Sequence, residues 1–286
     1  MTPTSLETKM TASRPICHYA LGHTDAEHER LIRQAARLAP LTERLFGEAG
    51  IGAGQRVLDL GSGVGDVAML AARLVGPLGE VVGVERDPRS IARARARVDE
   101  AGLHNVSFIQ SDVEQIASDG PFDAAVGRLI LMYVPNPAAV LCSTSRMVRP
   151  GGILAFQEPT WSPALAIAAG LPLWSAALSI SRDTFQRTGA HPELGLALHR
   201  MFQEAGLPAP TMSLELKIGA DREFIRNFCD SLSSLRPQIE RLHVSVESLG
   251  DFRDFPMRLQ SELERVGAVV GLPGIVGAWS RKPEHL

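Results

Sequence analysis

Between residues 50 and 160 the chain alternates near-continuous apolar runs with stretches in which apolar residues recur every three or four positions. The runs at 55–60, 80–85, 105–110, 122–127 and 152–157 predict strands covered on both faces. The amphipathic stretches between them predict helices, so this region reads as an α/β unit with a parallel sheet. Local chemistry marks the helix ends. Asp87 before Pro88 and Asn136 before Pro137 each offer a capping side chain followed by a proline suited to the first helical position. Gly102 follows the end of the first of these helices, and Pro150-Gly151-Gly152 is expected to stop the second before the fifth strand. Residues 192–205 place Leu194, Leu198, Met201 and Phe202 on one helical face, ended by Gly206.

Two regions break the β/α alternation. In residues 14–49, Thr24-Asp25-Ala26-Glu27 has the capping-box pattern and predicts a helix through about Leu38. Residues 221–270 read as helical, between a strand near 211–218 and a last strand near 274–280. The expected organisation is an N-terminal helical lid (1–49), a ligand-binding core (50–160), a lid insertion (161–190), a core helix and strand (191–220), a helical lid insertion (221–270) and a closing strand (271–286). Long insertions in a compact domain are often functional lids, so the substrate pocket is placed among them.

Composition narrows the function classes. A hydrophobic content of 45% and a charged content of 21% are ordinary for a globular domain. The net charge of −3 and scattered arginines give no electrostatic reason to expect nucleic acid. Cys17, Cys142 and Cys229 lie far apart without metal-ligand spacing, which predicts buried reduced thiols, and no metal site is expected. Residues 1–13 are polar and lack an apolar signal core, arguing for a cytoplasmic location. Residues 160–181 carry no charge and have the length of a bilayer span, but Pro163, Gly170, Pro172 and the alanine-rich composition favour a buried lid.

The strongest chemical signal is Val57-Leu58-Asp59-Leu60-Gly61-Ser62-Gly63-Val64-Gly65-Asp66. An apolar strand ends in a G-x-G-x-G turn and leads into a helix, and glycine lets the backbone approach a ligand without a Cβ in the way. The rival reading is a nicotinamide dinucleotide site, as in an NAD(P)-dependent oxidoreductase, whose fingerprint is G-x-G-x-x-G. Here Asp66 stands at the third position and Asp59 two residues before the first glycine. Two carboxylates beside a pyrophosphate would repel it, but they suit a ligand carrying an ammonium and a sulfonium. Glu85 ends the next strand and can accept from both ribose hydroxyls, which either cofactor would use. Asp112, at the end of the third strand, can accept from an adenine amino group.

As an ordered set, residues 57–66, 81–85, 111–112, 122–131 and 149–152 resemble the class I S-adenosylmethionine-dependent methyltransferases, with the bacterial quinone-biosynthesis and natural-product enzymes the nearest subgroup. The resemblance implies a doubly wound, seven-stranded, mostly parallel sheet with helical lids, and S-adenosylmethionine as cofactor. It implies that Gly61, Ser62 and Gly63 line the methionine part, that Glu85, followed by Arg86, binds ribose, and that Asp112 and Val113 contact adenine. Gly127 and Arg128 would lie beside the sulfonium, where a cation needs an acid to pair with, and Asp59 and Tyr19 complete the cofactor set. The expected activity is methyl transfer to a small hydrophobic or aromatic metabolite, in secondary metabolism, by a homodimer without a nucleic-acid partner. A cofactor-binding partner protein without catalysis is the other alternative. Where the acceptor needs a general base, Glu158, His18 and His23 are the candidates. His28 is expected on a solvated helix face, and Trp161, Trp174, Phe185 and Met201 could line an apolar acceptor pocket.

Overall fold

The computed structural model describes residues 24–116 and 120–284. The elements run α1 (Asp25–Ala49), β1 (Arg56–Leu60), α2 (Asp66–Val75), β2 (Glu80–Glu85), α3 (Pro88–Glu100), β3 (Val106–Gln110), β4 (Phe122–Arg128), α4 (Pro137–Met147) and β5 (Val148–Thr160). They continue α5 (Ser162–Ile167), α6 (Pro172–Arg187), α7 (Leu194–Glu204), β6 (Thr211–Glu215), β7 (Ile218–Gly219), α8 (Arg222–Ser234), α9 (Arg236–Arg241), α10 (Phe255–Val266), β8 (Val270–Gly271) and β9 (Gly274–Arg281). Seven strands form one sheet in the order β3-β2-β1-β4-β5-β9-β6. Only β9 runs against its neighbours β5 and β6. The chain moves outward from β1 to β2 and β3 on one side and to β4 and β5 on the other, so a crevice opens at the carboxyl ends of β1 and β4.

Side-chain alternation along β1 fills both faces of the sheet. Val57 joins α2 and the end of α1 in one core cluster, while Leu58 and Leu60 join α4, α6 and α7 in the other. That double burial explains why the strands read as unbroken apolar runs. The three predicted caps are present: Thr24 Oγ1 accepts from the Glu27 N–H, Asp87 Oδ2 from the Ser90 N–H and Asn136 Oδ1 from the Ala139 N–H.

Four elements differ from their sequence expectation. The first helix passes Leu38 and ends at Ala49, capped by Gly50 in the left-handed region at φ 83°. It carries Pro40 internally, and the buried Thr42, Leu45, Phe46 and Ala49 offset the hydrogen bond that proline removes. Pro150-Gly151-Gly152 lies inside β5 rather than before it. The register against β4 shifts between Phe122 and Ala124, with Gly151 at φ 73°, so the turn-forming sequence makes a bulge. The 211–218 run splits into β6 and β7, and β7 leaves the main sheet to pair with β8. Finally, 160–181 breaks into α5 and α6, and among the described residues no helix is long and apolar enough to cross a membrane.

Candidate functional site

A cavity of about 670 Å³ opens at the carboxyl edge of the sheet, at the β1–β4 reversal. The glycine turn forms its floor. Gly61, Gly63 and Gly65 all take positive φ, at 63°, 51° and 87°. A Cβ on Gly61 would meet the Ile130 side chain at 2.5 Å, so both backbone sign and space require glycine there. The turn is fastened to β2 by the Ser62 N–H, which donates to the Val84 carbonyl at 2.9 Å.

Glu85 connects this turn to the next one. Its Oε2 accepts from the Gly63 N–H at 3.0 Å, and its Oε1 accepts from the Arg86 and Asp87 N–H groups at 2.8 and 2.9 Å. The carboxylate is thereby held at the cavity wall in one orientation. Asp112 is fixed similarly, its Oδ1 accepting from the Glu114 N–H at 3.0 Å. Gly61, Ser62, Gly63, Glu85, Arg86, Asp112, Val113 and Arg128 all line the one cavity.

Asp59, Gly127 and Glu158 do not line it. Asp59 is 1% exposed beneath the glycine turn, and neither carboxylate oxygen closes a hydrogen bond of normal geometry. Burial pushes its pKa up to about 8, against the Arg128 charge and the Ala68 amide, which pull it down. Burial thus disfavours the charged form of Asp59, so the expected repulsion of a pyrophosphate rests chiefly on Asp66. Asp66 begins α2, lines the cavity and pairs with Arg97 at 2.7 Å. It thus puts an acidic side chain in the first turn of the helix, at the end on which a dinucleotide phosphate would have to sit.

Glu158 is fully buried, and its oxygens accept from the N–H groups of Ile130, Leu131 and Met132 at 3.1, 2.8 and 3.1 Å. Burial raises its pKa while those amides oppose the rise. The side chain holds the segment after β4 and is not among the residues that line the cavity. Two other buried or half-buried glutamates do the same for helix starts: Glu193 accepts from the Trp161 N–H and Glu262 from the Leu173 and Trp174 N–H groups.

Arg128 donates to Thr42 Oγ1 at 3.0 Å, and Thr42 donates to Gln157 Oε1 at 2.7 Å. Burial lowers the Arg128 pKa, and the nearby Asp66 and Asp59 oppose that shift. These are the acids the sequence required beside this cation. His18, His23 and Tyr19 lie outside the described residues. His28 is not on a solvated face: it is 4% exposed and its Nε2 meets Ser90 Oγ at 3.2 Å, because the first turn of α1 packs on α3.

The far wall comes from elements distant in sequence. Trp161 and Phe185, with ring centroids 5.3 Å apart, line it together with Met132, Tyr133, Phe228 and Ile275. Helix α1 adds Leu31, Gln34, Arg37, Leu38 and Leu41. Trp174 is instead core, stacked 4.9 Å from Phe228 with its indole N–H on the Leu259 carbonyl, and Met201 lies away from the cavity. The α1 and α8 contributions were missed in the sequence as specific residues; an amphipathic pattern marks a helix face but not the element that faces it.

The glycine cradle, the fixed Glu85 and the occupied α2 terminus fit S-adenosylmethionine, whose adenosine and amino-acid ends need no phosphate site. Residues 51–206 match the methyltransferase-domain family. A ubiquinone/menaquinone biosynthesis C-methyltransferase of Coxiella burnetii is 39% identical over 119 residues, 40% of this chain and 48% of that protein. An arsenite methyltransferase of Aquipseudomonas alcaligenes is 38% identical over 113 residues, 37% of this chain and 33% of that protein. The chain therefore spans less than half the length of these curated relatives. The YcgJ protein of Bacillus subtilis shares the fold, with a TM-score of 0.56 at 17% identity over 87% of this chain and 99% of that one.

Proposed function

Because the chain belongs to the class I S-adenosylmethionine-dependent methyltransferases, we propose that it transfers a methyl group from S-adenosylmethionine to a small, largely apolar metabolite. The observation that carries this reading is the Gly61–Gly63 cradle locked to Glu85 on one side of a cavity whose other side is aromatic. When bound, S-adenosylmethionine supplies a methyl group already activated by its sulfonium.

The chain's own residues then bind, orient and exclude water. Gly61, Ser62 and Gly63 hold the amino-acid end, Glu85 the ribose hydroxyls, and Asp112 and Val113 the adenine. Arg128, tied to Thr42 on α1, links the lid to the sulfonium end of the site. Trp161 and Phe185 present flat apolar surface to an acceptor, and α1, α6 and α8 close the space around it. Aligning the acceptor with the transferring group is a proximity effect and accounts for most of the catalysis such a site has to provide. A general base is needed only for some acceptor atoms; His18 and His23 are our candidates, since Glu158 is committed to three amides. We place the reaction in the cytoplasm and in secondary metabolism, and suggest a homodimer.

The test is binding of S-adenosylhomocysteine against NAD by calorimetry, followed by transfer of a labelled methyl group to a panel of aromatic metabolites. Binding of NAD alone would refute the reading. Tight S-adenosylhomocysteine binding without transfer to any panel member would favour a non-catalytic cofactor-binding partner.

A further inference from the structure

The cations around the cavity are not equally compensated. Arg30 is held by Glu27, with its Nε and Nη2 on the two carboxylate oxygens at 2.8 and 2.6 Å. Arg128 has Asp59 and Asp66 beside it. Arg37 differs. It lies half-buried on α1, lines the cavity, and among the described residues its one hydrogen bond is from Nη1 to the neutral Asn227 Oδ1 of α8 at 2.7 Å.

No ion pair reaches Arg37 among the described residues. Asp230 and Glu223 of α8 act on it only at longer range, and they rank below burial and the like charges of Arg30 and Arg33, which together hold its pKa below the usual guanidinium value. A partly desolvated cation with a neutral partner and two cationic neighbours is an unfavourable arrangement unless an anion completes it. A guanidinium offers five N–H donors in a planar fork, and among the described residues only one of them is used. The exposed Lys217 lines the same cavity and also makes no side-chain ion pair among the described residues.

Arg37 is anchored to an element that carries none of the cofactor-binding groups named above. Its partner helix α8 contributes neither the glycine turn nor Glu85 nor Asp112; it contributes Asn227, Phe228 and Ser231 to the acceptor side. Resting on the methyltransferase reading, we propose that the methyl acceptor is a carboxylate-bearing apolar molecule whose carboxylate is bound by Arg37, presented by Asn227, while its apolar body lies against Trp161 and Phe185. A neutral acceptor of the same shape would leave Arg37 uncompensated, so the residue sets specificity between acid and amide.

The experiment measures binding of benzoate, cinnamate, 1-naphthoate and decanoate against their primary amides by calorimetry, with and without S-adenosylhomocysteine. For the wild-type protein the expected result is a preference of about ten-fold or more for at least one carboxylate over its amide. Arg37→Gln should abolish that preference, Arg37→Lys should retain part of it, and both should bind S-adenosylhomocysteine within about two-fold of wild type. The partial rescue by lysine distinguishes charge recognition from loss of lid structure. The proposal is overturned if no carboxylate is preferred, or if the preference survives Arg37→Gln. It is equally overturned if Arg37→Gln weakens S-adenosylhomocysteine about ten-fold, which would assign Arg37 to the cofactor's own carboxylate. Carboxylate preference in a protein that binds no S-adenosylhomocysteine would support the Arg37 site while striking down methyl transfer.

Discussion

On the β1–β3 side of the cavity the binding groups are amides and carboxylates already joined to one another. On the α1–α8 side they are side chains from helices far apart in sequence, bridged by a single hydrogen bond between Arg37 and Asn227, 190 residues apart. Glu85 fastens three backbone amides within two adjacent turns, so the wall proposed for the cofactor is organised by short-range geometry and by glycines at positive φ, where a Cβ is disfavoured. The wall proposed for the acceptor is assembled from separate helices, α1, α6 and α8. A fixed cofactor wall and an assembled acceptor wall let one scaffold keep its cofactor while its substrate changes.

That contrast can be broken at either wall. The largest effect is expected for Glu85→Ala, which removes a charged acceptor and frees the Gly63 amide. S-adenosylhomocysteine affinity should fall by about 2–4 kcal/mol, some 30-fold or more, in calorimetry. Unchanged affinity would contradict the ribose assignment. Glu158→Gln should cost about 2–3 kcal/mol of unfolding free energy in urea titrations, because an amide NH₂ replaces an oxygen that accepts from backbone N–H groups. Its effect on cofactor affinity should be the smaller of the two; the reverse order would make Glu158 a ligand-facing group after all.

Phe185→Ala sharpens the comparison from the acceptor side. It should weaken binding of 1-naphthoate by about 1–2 kcal/mol and leave S-adenosylhomocysteine within about two-fold, since the ring lines only the apolar wall. The smallest effect concerns Asp59 and pH. Its folded pKa, about 8, lies above the ordinary aspartate value of 3.8. Its stabilising contribution is therefore complete below the unfolded value and is lost as pH rises through the folded one. Between pH 7 and 9 the ligand-free protein should lose about 1 kcal/mol more stability than Asp59→Asn does. Parallel pH profiles for the two proteins would show that Asp59 is already ionised.

Much of the first wall was legible from local pattern. The strand ends at Leu60, Glu85 and Gln110 fell where apolar runs met turn residues, and the G-x-G-x-G segment announced its own backbone conformation. Boundaries failed where burial outweighed local preference. Pro40 should have ended α1, yet the core contacts of Leu45 and Phe46 carry the helix through it, and Pro150-Gly151 forms a bulge because β5 continues pairing on both sides.

Charge state was the least legible property. Asp59 and Glu158 are ordinary acids in sequence, placed at strand ends where ligands bind. Only the fold shows that one lies under the glycine turn without a hydrogen bond of normal geometry and that the other is turned onto three amides. The sequence by itself determined the parallel α/β core and the cofactor turn, because strand burial and glycine conformation are fixed by neighbours a few residues away. The tertiary structure decided which acids line the cavity, and that Arg37, which lines it too, meets no ion pair among the described residues. Burial and electrostatic pairing are set by groups that meet only when distant segments pack.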